Sequence, residues 1–411
     1  MRFIDVLNSD GTINWGFVET IPEFKRLSET PQSTKWHKEG DVMAHTKLVV
    51  SEMEKLLEIK PVFRTLDTED WFVKKGVNET ALLLAALCHD LGKGTCTYWN
   101  EEEQDYKTNN HGLAGERITR KLFFEEPDIL LREKVCWLVR WHMLLHHIFG
   151  KESLIQDRLY RIQIGTANVL EQCYLNWADS MGSISDESTN TPEKVSERLE
   201  TILSTCSPNG LPQRTIAKKE RFFDTYEWSP NRDDYGNMVT KSYDEETFET
   251  YREGTHSTVY YMMGISGSGK STWLAKNHPE LPVVSRDVVR AELGFIKPGE
   301  KAKLSKKQEE EVTKECLYRI GEYAKRKVDF AIDDMNLKKK YRVGLHRYLY
   351  PYAPDFVYVY VEAPSLDDNF ERREEQVEKK QIEQMLTNLE FPEPYEYDEL
   401  IISKQTEKGN K

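Results

Sequence analysis

Apolar positions recur along the first part of the chain with helical spacing. In DVMAHTKLVVSEMEKLL, Val42, Val49, Met53 and Leu56 fall on one face, which predicts an amphipathic helix. ALLLAALCHDLGK and EKVCWLVRWHMLLHH are more uniformly apolar and predict buried or half-buried helices. The pattern stays helical to about residue 185. From there the texture turns polar: a short helical piece, PEKVSERLETILS, leads into the turn-rich stretches CSPNGLPQ and WSPNRDDYGN. From residue 256 apolar runs alternate with helical patterns. TVYYMM reads as a strand ending in a glycine-rich loop, PVVSRD as a short strand, and VDFAID and DFVYVYVEA as two further β-rich runs. The expected organisation is an all-α domain over residues 1–185, a connector over 186–255, and an α/β domain with a parallel sheet over 256–411.

Composition agrees with packed domains. Of 411 residues, 38% are hydrophobic and 11% aromatic, and the length suits two or three domains. No apolar run is long enough to span a membrane or, at the N-terminus, to act as a signal peptide, so the expected location is cytoplasmic. The six cysteines are scattered without a CxxC pair, which fits a reducing compartment. Net charge is −13, and nearly all of it lies before residue 256: residues 256–411 carry 26 basic and 27 acidic side chains. Such a chain is not a general nucleic-acid coat, although a few local basic residues could grip one strand end.

The glycine-rich loop GISGSGKS has the spacing G-x-x-x-x-G-K-[ST] and follows a strand. Gly264, Ser266, Gly267, Ser268, Gly269, Lys270, Ser271 and Thr272 are the expected nucleotide-binding residues. Glycines let the backbone close around phosphates, and amide N–H groups and a helix N-terminus supply positive potential. Lys270 would reach the terminal phosphates of ATP or another nucleoside triphosphate, and Ser271 would ligate Mg²⁺. The loop does not name the acceptor. Downstream, VVSRDVVR offers Asp287 and Arg290, either a surface pair or a proton acceptor with a phosphate-steadying arginine. FAIDDMN places Asp333, Asp334 and Asn336 at a strand end, and NFERREEQ offers Arg372 and Arg373 as either a lid over the triphosphate or part of a solvated charged helix.

In this order the stretches resemble polynucleotide 5′-hydroxyl kinases of the phage type. The resemblance covers about residues 258–400 and includes LEFPEPYEYDE near the end. It implies that Lys270 and Ser271 are the P-loop pair, that Asp287 is the general base, and that Arg290 meets the acceptor-side phosphate. It also implies that Asp334 and Asn336 bind the acceptor and that Arg372 or Arg373 is the lid arginine. Two basic clusters, KPGEKAKLSKK and NLKKKYRVGLHR, are either strand-tracking or solvated helix faces.

A second chemistry is written in the first domain. His89 and Asp90 are adjacent at the end of an apolar helix. His45 lies on the apolar face of its own helix, as either a core group or a ligand, and His111, His142 and Asp179 follow. This order, with HKEGDVMAHT at the start, resembles the HD phosphohydrolase superfamily over residues 36–182. Imidazole and carboxylate ligands suit two transition-metal ions such as Mn, Fe, Co, Ni or Zn. The resemblance implies that His45, His89, Asp90 and Asp179 hold one ion, that Asp90 bridges, and that His111 and His142 hold the other. Lys93 would neutralise a phosphate near a metal-activated water. His37 would support the site, and His146 and His147 would lie at the surface or in support.

The whole chain therefore resembles bacterial and phage fusions of an HD domain to a polynucleotide kinase. That resemblance implies a bifunctional end-healing enzyme acting on RNA or DNA ends, which would phosphorylate 5′-hydroxyls and remove 2′,3′-cyclic, 2′- or 3′-phosphates. Sealing would fall to a separate ligase. No membrane partner is expected, and a homodimer stays open. Two other readings are a nucleotide phosphohydrolase fused to a small-molecule (nucleoside-type) kinase, and a non-catalytic P-loop domain that switches the HD domain on with ATP.

Overall fold

Asp41 accepts a hydrogen bond from the Ala44 backbone N–H at 2.8 Å, and so caps the helix that the 3.6-residue pattern predicts. In the computed structural model this helix, α1, runs Val42–Ile59 and buries Val42, Val49, Met53 and Leu56. The structure describes residues 1–59, 77–146, 167, 169–185, 190–205, 257–297, 304–352, 354–372, 377–393 and 396–405. The chain divides into two units, Met1–Thr215 and Ile216–Lys411.

In the first unit α2 (Glu79–Cys88) opens on an Asn78 side-chain cap and is apolar on every side, and Ala81 through Cys88 are all buried. α3 (His111–Leu122), α4 (Ile129–Trp141) and α5 (Val169–Gly182) pack around it over one hydrophobic core. The helical piece PEKVSERLETILS forms α6 (Pro192–Thr205), whose Val195, Leu199, Ile202 and Leu203 pack with Leu145, Val169 and Cys173. The remaining connector residues, 186–189 and 206–255, lie outside the described residues. The helical unit also holds an antiparallel hairpin that the pattern did not announce, β1 (Thr97–Asn100) and β2 (Asp105–Thr108). Each strand is four residues long and neither has a buried face, so no alternation marks it.

The second unit is a five-stranded parallel sheet with flanking helices. Its strands are β3 (Thr258–Met263), β4 (Val283–Ser285), β5 (Phe330–Asp333), β6 (Asp355–Glu362) and β7 (Glu399–Lys404), in the spatial order β4-β5-β3-β6-β7. β7, ELIISK, adds an edge strand to those the sequence announces. The helices are α7 (Lys270–Asn277), α8 (Arg286–Glu292), α9 (Lys306–Lys325), α10 (Lys339–Leu349), α11 (Leu366–Glu371) and α12 (Lys379–Thr387). None of the described helices is long and apolar enough to cross a membrane.

One buried ion pair ties this unit together. The fully buried Arg342 guanidinium donates to both Glu396 carboxylate oxygens at 2.7 and 2.9 Å, and to the carbonyls of Asn336 and Leu337 at 3.1 Å. Removing one partner of such a pair strands a charge, at a cost of about 3–5 kcal/mol. Arg342→Met should therefore lower the urea-unfolding stability of this unit by about that much, whereas Arg342→Met combined with Glu396→Leu should recover most of the loss. A double variant no more stable than the single one would show that the pair's charge balance is not what Arg342 contributes.

Candidate active sites

In the first unit the candidate ligands sit at helix ends that converge on Asp90. α2 delivers His89 and Asp90 in the turn after Cys88, and that turn is pressed against the start of α3. A Cβ on Gly92 would lie 2.0 Å from the His111 carbonyl oxygen, so only glycine permits this approach. Asp90 is 1% exposed. Its Oδ2 lies 3.3 Å from His89 Nε2 and 3.7 Å from His45 Nε2, while its Oδ1 lies 3.6 Å from His111 Nε2 and 3.7 Å from His142 Nε2. One carboxylate thus faces two histidine pairs. Asp179 joins the first pair, with Oδ1 3.0 Å from His45 Nε2 and 3.8 Å from His89 Nε2. All six residues singled out in the sequence are brought together.

The partners of the other ring nitrogens set how these rings can ligate. His89 Nδ1 meets the Ala86 carbonyl at 2.8 Å and His142 Nδ1 meets that of Val139 at 2.7 Å. Each Nδ1–H donates there, which leaves the Nε2 lone pair facing Asp90. His45 Nδ1 lies 3.0 Å from Glu39, a residue the sequence reading passed over. Glu39 also pairs with His37 at 2.8 Å and accepts the Ile184 N–H at 2.9 Å. Its only sequence signal is its place in the phrase HKEGDVMAHT. His146 supports the site too: its Nε2 lies 3.0 Å from Asp179 Oδ2. His147 lies outside the described residues. Lys93 puts its ammonium 2.7 Å from Asp90 Oδ2 and donates to Gln32 at 2.9 Å.

Burial would push the Asp90 carboxyl up, but the Lys93 ammonium and the His89 imidazole hold it well below the carboxylate range. Burial pushes His111 down to about 4 and His142 to about 3, so both are neutral, the form that binds metal. Burial would also lower His45, but hydrogen bonds to Asp179 and Glu39 raise it to about 9.

The donor set fits divalent metal. Among the described residues Asp90 Oδ1 has no hydrogen-bond partner. His45 and His89 bring their Nε2 atoms to 3.3 Å of each other, and His111 and His142 to 3.0 Å. With bonds of roughly 2.1 Å, neighbouring donors about one ion sit roughly 3.0–3.4 Å apart. The ligand atoms of His45, His89 and Asp90 lie within 4.8 Å of one another, as do those of Asp90, His111 and His142.

In the second unit the loop after β3 wraps as its glycines allow. Gly267 has φ +80, and a Cβ there would lie 2.4 Å from the Asn369 carbonyl oxygen. The Asn369 amide donates to the Ser266 carbonyl at 2.9 Å, so the start of α11 braces the loop, a role that no sequence signal gave. Ser268 is fully buried, Gly269 precedes the first turn of α7, and Thr272 is exposed on that helix. Lys270 Nζ donates to the carbonyls of Gly264 at 2.9 Å and Ile265 at 3.1 Å.

The two acids at the end of β5 divide. Asp333 Oδ2 accepts from the Ser271 hydroxyl at 2.6 Å. Burial pushes the Asp334 carboxyl up, partly offset by the hydrogen bond it accepts from the Met335 N–H at 2.7 Å. Asn336, at φ +49, donates to the Met262 carbonyl at 2.9 Å. Arg372 donates to the Gly267 carbonyl at 3.2 Å, and Arg373 lies outside the described residues. Asp287 stands in the first turn of α8 with Arg290 Nη1 2.6 Å from its Oδ1. Arg290 and Arg286 both also pair with Glu309 of α9, at 3.0 and 2.7 Å, a partner too distant in sequence to be foreseen.

Comparison with known proteins matches each unit separately. Residues 42–181 match the family model for the HD domain, and residues 259–392 match that for an AAA domain. A multifunctional CCA protein of Actinobacillus pleuropneumoniae is 42% identical over 104 residues, 25% of this chain and 20% of the relative. A bifunctional uridylyltransferase/uridylyl-removing enzyme of Ruegeria pomeroyi is 28% identical over 149 residues, 34% of this chain and 14% of the relative. The chain thus spans a fifth or less of the length of these relatives. Among solved structures, a Sinorhizobium meliloti gluconokinase aligns at 23% identity and TM-score 0.27, covering 38% of this chain and 86% of that one. Chaetomium thermophilum Kti12, in complex with ADP-AlF3, aligns at 15% identity and TM-score 0.27, covering 36% and 88%. The chain carries an HD domain over residues 42–181, followed by a P-loop AAA domain over residues 259–392.

Proposed function

We propose that this chain heals nucleic-acid ends, above all RNA ends. It phosphorylates 5′-hydroxyl termini with ATP, and it clears 2′,3′-cyclic phosphate and 2′- or 3′-phosphate termini. The observation that carries the reading is the presence of two opposed phosphate chemistries in one chain: six converging metal-type ligands in one unit, and a P-loop with the Asp287–Arg290 pair in the other. A nuclease break that leaves a 5′-hydroxyl and a cyclic phosphate needs both before a separate ligase can seal it. Similarity to an enzyme named for uridylyl removal supports phosphoester cleavage by the HD unit.

In the kinase unit Lys270 turns from the loop carbonyls to the terminal phosphates, and Ser271 with Asp333 holds Mg²⁺. Asp287 takes the proton of the attacking 5′-hydroxyl, Arg290 steadies the acceptor-side phosphate, and Arg372 closes on the triphosphate. Asp334 and Asn336 face the acceptor. In the HD unit His45, His89, Asp90 and Asp179 would hold one divalent ion, and His111 and His142 with Asp90 would hold a second. Ions held there would supply Lewis-acid activation of a water as nucleophile. Lys93 meets the phosphate's negative charge, and Glu39 and His146 keep His45 and Asp179 oriented.

The test is an oligonucleotide with a 5′-hydroxyl and a 2′,3′-cyclic end, incubated with ATP and Mg²⁺ or Mn²⁺, with both termini read by mass. Both ends should change. Transfer to free nucleosides but not to oligonucleotides would install the small-molecule reading instead. Lys270→Ala and Asp287→Ala should each cut 5′-phosphorylation about 10²–10⁴-fold, with ATP binding kept only in the Asp287 variant.

Elemental analysis should find transition metal in the purified protein. Asp90→Asn should lose most of it, and Glu39→Gln should weaken metal affinity about 10–100-fold. A metal-free preparation that hydrolyses phosphoesters at full rate would refute the metal assignment.

Each residue set is complete within its own unit, so Asp90→Asn should keep kinase activity and Lys270→Ala should keep end-phosphate removal. A Lys270→Ala protein that stays folded and metal-loaded but loses that removal would favour ATP acting as a switch.

A further inference from the structure

Gln32 belongs neither to the metal-type donor set nor to the P-loop, yet it is buried to 7% exposure beside the HD site. Its Oε1 accepts from the Lys93 ammonium at 2.9 Å, and its Nε2 donates to the Asp41 carbonyl at 3.2 Å. These two partners fix the orientation of the amide, because an ammonium only donates and a carbonyl only accepts. The same Asp41 carbonyl accepts from the His45 backbone N–H at 3.2 Å, in the first turn of α1. On either side of Gln32, Pro31 pairs with Asp41 through the backbone and the Ser33 hydroxyl donates to Asp105 of β2. Gln32 is thus clamped in place, and it links Lys93 to the helix that carries His45.

Among the described residues Lys93 pairs with one acid, Asp90 at 2.7 Å, and with one neutral group, Gln32. The neighbouring carboxylates are engaged elsewhere: Glu39 with His37 and His45, and Asp179 with His45 and His146. A charge on a flexible four-carbon stem must be held if it is to meet a substrate at one place. An acid in place of Gln32 would hold the ammonium but cancel it. A neutral amide holds it and leaves its charge to act on what arrives. The difference matters most once Asp90 is shared between divalent ions, whose charge then dominates that carboxylate.

We propose that Gln32 is a positioning residue of the HD unit, a neutral anchor that aims Lys93 at the substrate phosphate and keeps its charge available there. The inference rests on the reading of this unit as a metal-dependent phosphoesterase. It has a consequence for specificity, since Coulomb attraction scales with the product of the charges. A phosphomonoester carries close to two negative charges above its second pKa of about 6, and a cyclic phosphodiester carries one. Charge kept on Lys93 therefore favours a monoester end over a cyclic one, and charge lost from it penalises the monoester more.

The experiment uses the full-length protein loaded with Mn²⁺ at pH 8. Two oligonucleotides serve as substrates, identical except that one ends in a 2′,3′-cyclic phosphate and the other in a phosphomonoester. Gln32→Glu keeps the shape and adds an anion, whereas Gln32→Leu removes the hydrogen bonds and adds no charge. Gln32→Glu should lower kcat/KM for the monoester end at least about tenfold more than for the cyclic end. Gln32→Leu should lower both by factors that agree within about threefold. Inorganic phosphate, titrated by calorimetry, should bind Gln32→Glu at least about tenfold more weakly than wild type. Elemental analysis should find the wild-type manganese content in both variants. A Gln32→Glu protein that binds phosphate as wild type does, or that treats the two ends as Gln32→Leu does, overturns this inference alone. So does one that loses its metal, because Gln32 would then support the ligands rather than Lys93. Wild-type protein that cleaves neither end overturns the phosphoesterase reading, and this inference with it.

Discussion

A carboxylate buried to 1% exposure is costly unless charge or donors surround it, and Asp90 imposes that condition on the whole helical unit. Its two oxygens face opposite histidine pairs, so α1, α3 and α4 must all present imidazole at one depth, and α5 must bring Asp179 to the same place. The packing obeys: α2 ends where its apolar run ends, and Gly92 admits the α3 backbone where any side chain would exclude it. The rings are then fixed from behind by the Ala86 and Val139 carbonyls and by Glu39. A donor set held from outside in this way is organised before any ion arrives, so little of the ion's binding energy is spent on ordering side chains.

The second unit reaches preorganisation by topology. From β3 the chain goes to one side for β4 and β5 and to the other for β6 and β7, which leaves a crevice beyond the carboxyl end of β3. Open parallel sheets bind ligands at such a reversal. The P-loop lies there, flanked by Asp333 from the β5 side and braced by Asn369 after β6. The far end of the unit stabilises the same point: Glu396 holds Arg342, Arg342 holds the Asn336 carbonyl, and the Asn336 amide holds the end of β3.

Much of this was legible because it is local. Helical spacing placed Val42, Val49, Met53 and Leu56 on a buried face, and the P-loop spacing carries its own geometry. What escaped depends on partners distant in sequence or on elements without a buried side. The β1–β2 hairpin has no apolar alternation to read. Glu309 meets Arg286 and Arg290 only because α9 folds back along α8. Asp333 closes β5 beside the Ser271 hydroxyl, whereas Asp334 lies in the bend after the strand. Which acid meets Ser271 therefore depends on where the loop sits, and the dipeptide alone does not contain that.

Charge closes the argument about substrate. The helical unit is strongly acidic and residues 256–411 are close to neutral, so a polyanion gains little long-range attraction from either. On the proposed reading, grip must come from short-range exchange. Arg286 and Arg290 are already neutralised by Glu309 and Asp287. A strand phosphate that approaches Arg290 replaces one anion with another, and in doing so can release Asp287 toward the hydroxyl. Such a site rewards only the group that fits at the end of the strand and offers nothing to the backbone further along. That suits an enzyme that repairs ends and must leave them for a ligase.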